Sequence, residues 1–335
     1  MSDIKLSVII PTHNRASELA NTLAGLRRQT LEAEEYEIIV VDDGSNPPVR
    51  LADSDGKPSC SLVRLEGLER SAARNAGAVA AKGRYLVFVD DDMTVGSDFL
   101  EFHLRGHEEW DNTLAVGSVR LSSDFLSTAF GRFRQELEQR DIPQGRGLKT
   151  MRNLCTAANM SVPRDLFHEL GGFDCLLRSS EDQDFALRHT ARGGQIAYIP
   201  EAKAIHNDSA IDIGSYCRRA EWGAEHVIPF CRRYPDWPDN VERERVNGPV
   251  MWGREPLSNS LRKLLKLTLT ATPVFALLSF VNSILERVAP NSFAVDRLYR
   301  LLLGAHILRG YRKGRRRTAA ADERTAISDR QLAQS

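Results

Sequence analysis

The chain has 335 residues, and its 45 basic and 45 acidic side chains leave a formal net charge of zero. A chain of this length can bury a large core in one or two domains, and the balanced charge argues against nucleic acid as a partner. The five cysteines are odd in number and include no C-x-x-C pair, which argues against a disulfide framework or a zinc site and favours a reducing cytoplasm. The start of the chain shows no signal for secretion.

Three short apolar runs are the first predicted strands. They read LSVII, YEIIVV and YLVFV, at residues 6–10, 36–41 and 85–89. Stretches with helical spacing lie between them, and this alternation predicts a parallel sheet that is buried on both faces. Each run is followed directly by polar residues, which read PTHNR, DDGSN and DDDM. Ligands bind at the carboxyl ends of strands in open α/β sheets, so we expect a binding site at these three strand ends.

Later segments continue the alternation of helices and strands. An alanine-rich helix is predicted to end at Gly83, and two further helices are predicted over residues 163–171 and 180–193. The segment QIAYIPEAKAIHN alternates as a strand does and leads to His206. After about residue 250 the chain becomes basic, aliphatic and helical in pattern.

The triplet Asp90, Asp91 and Asp92 places three like charges directly after a predicted buried strand. A solvated turn is one explanation, because aspartate is common in turns and at the starts of helices. A turn placed at random would not repeat the same polar pattern at three strand ends. The pattern therefore favours a ligand site over a plain turn.

Five motifs, in chain order, resemble those of the family 2 glycosyltransferases with the GT-A fold: SVIIPTHNR, VVDDGS, RNAGAVAAKGRYLVFVDDD, NMSVPRDLFHELGGFD and SEDQDFALR. The resemblance covers roughly residues 5–210 and implies an α/β fold with a Rossmann-like mixed sheet and helices on both faces. It implies inverting transfer of a sugar from a nucleotide-sugar, which we expect to be UDP-linked, to a hydroxyl of a glycan, glycolipid or envelope precursor. We expect a catalytic domain, a helical region and a disordered tail at residues 1–250, 251–318 and 319–335.

The resemblance also gives the aspartate triplet a physical role. Clustered carboxylates become favourable when a divalent cation compensates their charge, and Mg²⁺ and Mn²⁺ prefer oxygen ligands. The family's D-x-D motif implies that Asp92 is a direct ligand of Mg²⁺ or Mn²⁺, while Asp90 and Asp91 surround the ribose, the sugar and the metal. Relatives place a metal-binding histidine where His206 lies, and a purely structural histidine is the alternative at this position.

Five further residues are assigned to the nucleotide by the same resemblance. Pro11 and Thr12 match the loop that holds the base and ribose, and Asp42 and Asp43 match an acidic pair that can accept a hydrogen bond from uracil. Arg74 matches a helix arginine that contacts the nucleotide in relatives. The alternatives are a plain Asx turn for the two aspartates and a surface ion pair for the arginine.

The motif SSEDQD is the predicted source of the general base. An attacking hydroxyl must lose a proton, and a carboxylate within reach can accept it. The resemblance assigns this role to Asp182, with Glu181 as its acidic neighbour; the alternative is that a helix N-terminus favours anions without catalysis. Asn159 matches a position near the donor sugar or the acceptor, and its alternative is an amide that caps backbone groups.

Two other functions stay open at this point. One is a catalytically silent protein that binds sugar nucleotides or acts as a scaffold, and the other is a GT-A-like nucleotidyltransferase. The latter usually begins with a glycine-rich loop, which PTHNR lacks, and a dehydrogenase is disfavoured by the absence of G-x-G-x-x-G after the first strand. The segment RRAEW is only distantly similar to a motif of processive relatives, which favours transfer of a single sugar.

The region 260–317 has two interpretations. Its apolar stretch from Leu264 to Leu285 is long enough to cross a bilayer but is interrupted by Lys266, Pro273 and Asn282. Residues 254–317 carry a net charge of +10, which predicts peripheral association with the inner face of the cell membrane. The alternative is a helical subdomain that packs on the catalytic domain or on a second subunit in a homo-oligomer.

Overall fold

The structure of the chain is a computed structural model. It describes residues 4–51, 58–140, 142–150, 154–208 and 211–332. These residues fall into two compact units: the first comprises Met1–Phe125 and Gln135–Ser209, and the second comprises Leu126–Arg134 and Ala210–Ser335.

A mixed sheet of nine strands forms the centre of the first unit, counted over the described ranges. The strands are β1 (Leu6–Thr12), β2 (Tyr36–Asp43), β3 (Ser59–Leu65), β4 (Tyr85–Val89), β5 (Met93–Val95), β6 (Thr113–Leu121), β7 (Gly147–Lys149), β8 (Asn159–Pro163) and β9 (Gln195–His206). Their order is β3-β2-β1-β4-β8-β6-β9-β5, with β7 paired to β9. The strands β3, β2, β1 and β4 are mutually parallel, whereas β8 is antiparallel to both of its neighbours.

Helices lie on the chain between these strands. They are α1 (Ala16–Leu26), α2 (Arg70–Ala80), α3 (Phe99–Glu109), α4 (Ser123–Leu126), α5 (Ala129–Gln139), α6 (Arg164–Glu169) and α7 (Glu181–Ala191). Two apolar cores result, one on each face of the sheet: Val8 and Ile38 point into one, and Ile9 and Ile39 into the other. The predicted burial of both sheet faces is confirmed.

The small residues of α2 allow this helix to lie close to the sheet. A Cβ atom added at Gly77 would come within 2.4 Å of the Ile9 side chain, so a larger residue would push the helix away from β1. The helix is thereby held against β1 and β2, two of the three strands whose ends carry the polar segments.

The predicted strand ends differ slightly from the observed ones. The strands β1 and β2 extend two residues beyond their apolar runs, so that Thr12 and Asp43 are their last residues. In contrast, β4 ends at Val89 and β9 ends at His206, as predicted. The aspartate triplet therefore begins immediately after β4, as the sequence indicated.

The second unit is helical. Its main helices are α8 (Ile213–His226), α9 (Ile228–Arg233), α10 (Pro238–Asn247), α11 (Leu257–Leu269), α12 (Thr272–Val288) and α13 (Phe293–Leu332). The change of unit near residue 209 comes earlier than the domain boundary that we expected at residue 250. The physical reason is that α8 packs against α13, where Glu221 accepts hydrogen bonds from Arg309.

The C-terminal tail also differs from the expectation of disorder. Helix α13 continues through alanine-rich sequence to Leu332, and alanine, glutamate, arginine and glutamine favour helices. Residues 333–335 lie outside the described residues.

The apolar stretch predicted from Leu264 to Leu285 is divided between two helices. Helix α11 ends at Leu269 and α12 begins at Thr272, with Pro273 in its first turn, a position that proline tolerates. Within the ranges that the structure describes, no single helix has the length and apolar character needed to cross a membrane. By length and composition, α11 and α12 meet that requirement together, as a pair bent by 83°.

Candidate active site

Three parallel strand ends meet at one edge of the sheet. Because β1 lies between β2 and β4, the residues that follow these strands are neighbours in space. Thr12 pairs in register with Asp42 on one side. On the other side its hydroxyl donates a 2.7 Å hydrogen bond to Oδ2 of Asp91. The structure thus brings together residues from the three polar segments.

The aspartate triplet is compensated by two arginines. Arg74 donates to Asp90 at 2.8 Å, and Arg15 donates to Asp92 at 2.7 Å and to Asp91 at 3.3 Å. Asp91 and Asp92 are buried, whereas Asp90 is half-buried. These pairs explain how three adjacent carboxylates can occupy the end of a buried strand.

The pKa values of Asp91 and Asp92 are shifted in opposite directions. Burial raises the pKa of Asp91 to about 6, although its contacts with Thr12 and Arg15 oppose the shift. Burial would also raise the pKa of Asp92, but His206 and Arg15 outweigh that effect and hold the pKa below its usual value. Asp92 is therefore the more strongly ionised of the two at neutral pH.

Asp92 and His206 lie side by side, although they are far apart in sequence. Antiparallel pairing of β5 with β9 places His206 opposite Met93, the residue after Asp92. The distance between Nε2 of His206 and Oδ1 of Asp92 is 3.2 Å. This Oδ1 atom is buried and, apart from the contact with His206, accepts no hydrogen bond from the residues that the structure describes.

A divalent cation fits this pair of residues. A buried carboxylate oxygen without a hydrogen bond, facing an imidazole nitrogen, can serve as a ligand. Among the residues that the structure describes, no group of three or more His, Cys, Asp or Glu forms a metal site. A cation held here would take its remaining ligands from phosphate oxygens and water, as Mg²⁺ commonly does.

Arg74 joins the triplet to helix α7. Its guanidinium is buried, and it donates to Glu181 at 3.0 Å as well as to Asp90. The surface ion pair considered from the sequence is therefore replaced by a buried one. Its Nε atom is buried and makes no hydrogen bond with any described residue. The contact of Arg74 with a nucleotide stays a prediction.

The acidic residues at the start of α7 have different surroundings. The helix begins after Ser180, which has a left-handed backbone conformation with φ of 65°. Glu181 is paired with Arg74, and Asp184 is paired with Arg188 at 2.8 Å. Asp182 makes no ion pair with a residue in the described ranges; its Oδ1 accepts from the backbone N–H of Gln183.

The pKa of Asp182 is raised to about 7, mainly because this half-buried carboxylate is partly withdrawn from water and in addition because Glu181 is close to it. A carboxylate with a pKa near the working pH is suited to accept a proton from a substrate. Neither Glu181 nor Asp184 is equally available, because each is engaged by an arginine. This difference favours the predicted general base over a simple preference of the helix N-terminus for anions.

The acidic pair at the end of β2 is engaged with backbone groups. Asp42 accepts from the N–H groups of Ser45 and Val49, and Asp43 accepts from those of Leu68 and Glu69. The bonds from Ser45 and Val49 outweigh burial and lower the pKa of Asp42. These contacts match the turn-forming alternative, although the two carboxylates together have more lone pairs than these backbone bonds use. Binding of a base by this pair stays a prediction.

Asn159 is buried between strands and does not face an open site. Its Nδ2 donates to the carbonyls of Ser118 and Ala202, and its Oδ1 lies 2.9 Å from Nε2 of His103. These contacts correspond to the alternative role of an amide that caps backbone groups. Pro11 is also buried, within β1 and opposite Val41.

The motif match agrees with comparisons to known proteins. The family model described as glycosyl transferase family 2 matches residues 7–171. This match identifies residues 7–171, about half of the chain, as a glycosyltransferase family 2 domain. The matched range includes the triplet, whereas Asp182 and His206 lie beyond it.

The chain is also similar to individual glycosyltransferases of known sequence or structure. An uncharacterized glycosyltransferase of Haemophilus influenzae is 30% identical over 184 residues, which are 55% of this chain and 61% of the relative. The chain thus spans less than two thirds of that relative's length. The mannosyltransferase PcManGT of Pyrobaculum calidifontis, solved with GDP-Man and Mn²⁺, matches with a TM-score of 0.58 at 16% identity, over 92% of this chain and 88% of the other.

A second solved structure supports the same fold. TarS of S. aureus in complex with UDP-GlcNAc matches with a TM-score of 0.50 at 15% identity, over 93% of this chain and 92% of the other. Together with the mixed sheet, these neighbours confirm the predicted GT-A fold class.

Arg15 lies in the candidate site, although the sequence reasoning did not assign it. It lies in the loop after β1, one residue after Asn14, whose φ is 56°. The sequence contained a signal for it, because a cation in one strand-end segment faces carboxylates in another when the strands are neighbours. This signal can be interpreted only when β1 and β4 are known to be adjacent strands.

Proposed function

We propose that this chain transfers a single sugar, with inversion, from a nucleotide-sugar to an acceptor hydroxyl. The proposal is carried by the arrangement at the strand ends, where the triplet and Thr12 lie beside the start of α7 with its unpaired Asp182. Arg74 links the two parts of this arrangement, because it contacts Asp90 in the triplet and Glu181, the neighbour of Asp182 in α7.

The donor is proposed to lie across the ends of β1, β2 and β4, with its nucleoside near Thr12 and Asp42. The two structural neighbours contain UDP-GlcNAc and GDP-Man, which supports a nucleotide-diphosphate sugar as the donor class. We favour a UDP-linked donor, because a carboxylate of the pair Asp42 and Asp43 can accept a hydrogen bond from N3–H of uracil.

Asp92 and His206 are the residues proposed to hold Mg²⁺ or Mn²⁺. When bound there, the cation supplies charge that stabilises the departing diphosphate. Arg15 contacts Asp92 and has a side chain that is 46% exposed. We propose that it leaves this carboxylate when the cation binds and then contacts the phosphates, since arginine binds phosphate oxygens well.

Asp182 is proposed to act as the general base. Its carboxylate accepts the proton of the acceptor hydroxyl while the oxygen attacks the anomeric carbon, and the bond from that carbon to the diphosphate oxygen breaks. The proton remains on Asp182, the electron pair leaves with the diphosphate, and the configuration at the anomeric carbon inverts. No covalent bond between sugar and protein forms in this sequence.

A panel of nucleotide-sugars tests this function. Metal-dependent binding of a donor, followed by transfer to an acceptor or by slow hydrolysis, is the expected result, and Asp182→Asn should retain the binding. Donor binding without either reaction in the unaltered protein would instead favour a catalytically silent sugar-nucleotide-binding protein. Formation of a nucleotide-sugar from an added nucleoside triphosphate and a sugar 1-phosphate, with release of diphosphate from the triphosphate, would favour a nucleotidyltransferase.

The acceptor is proposed to be a glycan or a lipid-linked precursor presented at the inner face of the cell membrane. Support comes from the large apolar side chains that α11 and α12 leave exposed, such as Leu277 and Phe280, and from the net charge of +10 over residues 254–317. Sedimentation of the full chain with anionic vesicles tests this location. A protein that stays in the supernatant and forms a defined oligomer would support the packing alternative.

A further inference from the structure

A groove between α11 and α13, within the second unit, is lined by cationic side chains. It has a volume of about 380 Å³, and its lining includes Lys263, Arg312, Arg315 and Arg316. A neighbouring cavity of about 370 Å³ shares Leu267, Arg312 and Arg316 with it. The two shared arginines therefore border both cavities.

Most cations on this part of α13 are already paired. The partners are carboxylates on α8 and α10, at distances of 2.6 Å, in the pairs Arg309–Glu221, Lys313–Glu225 and Arg315–Glu244. These residues hold the helices of the unit together. Their charge is compensated, so they contribute little to the attraction of an outside anion.

Arg312 and Arg316 differ from these neighbours. Neither forms an ion pair or a side-chain hydrogen bond with any residue that the structure describes. They are four residues apart on one helix, so their side chains lie on the same face, and two like charges in this spacing repel each other. Arg312 is half-buried, which adds a desolvation cost that a bound anion would offset.

Lys263 does not compete for this role. Its Nζ donates to Oε2 of Glu255 at 2.6 Å and to the carbonyl of Pro249 at 2.9 Å, and its side chain is buried. It lines the groove as a compensated charge. The uncompensated charge of the groove therefore comes from Arg312 and Arg316.

An apolar surface borders the groove along α11. Leu257, Leu261, Leu264 and Leu265 are exposed on this helix, and at about 100° per residue they share one side of it. Leu267, which lines both cavities, lies on the adjoining side. Exposed apolar surface next to uncompensated cations is the pattern of a helix that lies in the headgroup region of a membrane.

We propose that the groove binds the phosphate of an anionic lipid headgroup, while the exposed leucines of α11 enter the boundary of the acyl chains. Two guanidinium groups one helical turn apart can bind one phosphate through several charge-assisted hydrogen bonds. A second copy of the chain fits this surface less well, because a two-fold interface would bring two cationic grooves together. The inference rests on the membrane location included in the proposed function.

The test uses the full chain and vesicles of phosphatidylglycerol mixed with phosphatidylcholine. The variant R312Q/R316Q removes both unpaired charges, and R28Q/R105Q removes two exposed arginines of the first unit as a control for net charge. We expect R312Q/R316Q to lower the partition coefficient about 30-fold, given the usual contribution of two cations at a membrane surface. The control should change it far less, and thermal unfolding should show that both variants are folded.

An equal loss of vesicle binding in the two variants would overturn the inference, because it would show that only the net charge of the protein attracts it to the membrane. If the unaltered protein fails to bind anionic vesicles, both lipid binding by the groove and the membrane location are wrong. Donor binding is measured separately, so this outcome does not decide the proposed transfer reaction. Titration with inorganic phosphate distinguishes the sources of the anion. Phosphate binding that depends on Arg312 and Arg316, without binding to vesicles, would identify a site for a free phosphate and contradict the lipid assignment.

Discussion

A buried arginine of the first unit and two exposed arginines of the second unit form ion pairs in different surroundings. In the first unit the Arg74 side chain is 3% exposed and joins Asp90 to Glu181. In the second unit, Arg309 and Arg315 are 47% and 46% exposed while they pair with glutamates. Loss of one partner of a buried pair leaves a charge without compensation, whereas an exposed pair contributes little to stability. The same substitution should therefore have very different effects at Arg74 and at Arg315.

The largest effect is expected for Asp92→Ala. It removes the carboxylate whose buried Oδ1 lies beside His206. Without this proposed metal ligand, the charge of the diphosphate is less compensated. We expect no measurable transfer and a strong loss of metal-dependent donor binding, measured by calorimetry with and without Mn²⁺. Near-normal turnover with an unchanged metal requirement would contradict the role of Asp92.

The next largest effect is expected for Asp182→Asn, which keeps the shape of the side chain but cannot accept a proton. We expect kcat to fall by roughly 10²- to 10⁴-fold while donor affinity is retained, as is typical when a general base is lost. A parallel collapse of donor binding would instead place Asp182 in the donor site. Glu181 or Asp184 would then be the next candidate for the base.

The pH profile tests the same group without a substitution. Because the pKa of Asp182 is raised to about 7, its carboxylate becomes protonated as the pH falls through that value, and the protonated form cannot act as a base. We expect kcat/KM to fall about tenfold per pH unit well below pH 7. The residual activity of Asp182→Asn should lack this dependence; a profile that is flat down to pH 5 in the unaltered protein would argue against the assignment.

A smaller but still clear effect is expected on folding from Arg74→Gln. The change leaves Glu181 buried without its cation and frees Asp90, and breaking such a pair costs about 3 to 5 kcal/mol. Chemical denaturation measures the free energy of unfolding. A loss below about 1 kcal/mol, the range of an exposed pair, would show that water compensates these charges.

The smallest effect is expected from Arg315→Gln, which serves as the matched exposed case. Its partner Glu244 is 43% exposed and also accepts a hydrogen bond from Tyr311. We expect the free energy of unfolding to fall by about 0.2 to 1 kcal/mol, and less at high salt. A loss as large as that of Arg74→Gln would remove the distinction between the two units.

The sequence by itself determined the strands β1, β2, β4 and β9, the polar segments that follow the first three of them, and the resemblance to the family. Apolar runs of period and length typical of buried strands placed Asp90 after β4 and His206 at the end of β9, and both positions were confirmed. These predictions depend on residues close together in the chain. Local composition also indicated helices in the C-terminal region, but it misplaced the boundary between the units.

Only the tertiary structure decided which of these residues meet. The order of the strands brings Thr12 to Asp91, and the packing of α7 brings Glu181 to Arg74, although 79 and 107 residues separate the partners. Asn159 likewise reads as a site residue in its motif, yet strand pairing buries it among carbonyls and His103. The groups that raise or lower the pKa of a carboxylate are such distant neighbours. The pKa therefore depends on strand order and burial, and a local sequence motif does not reveal either of them.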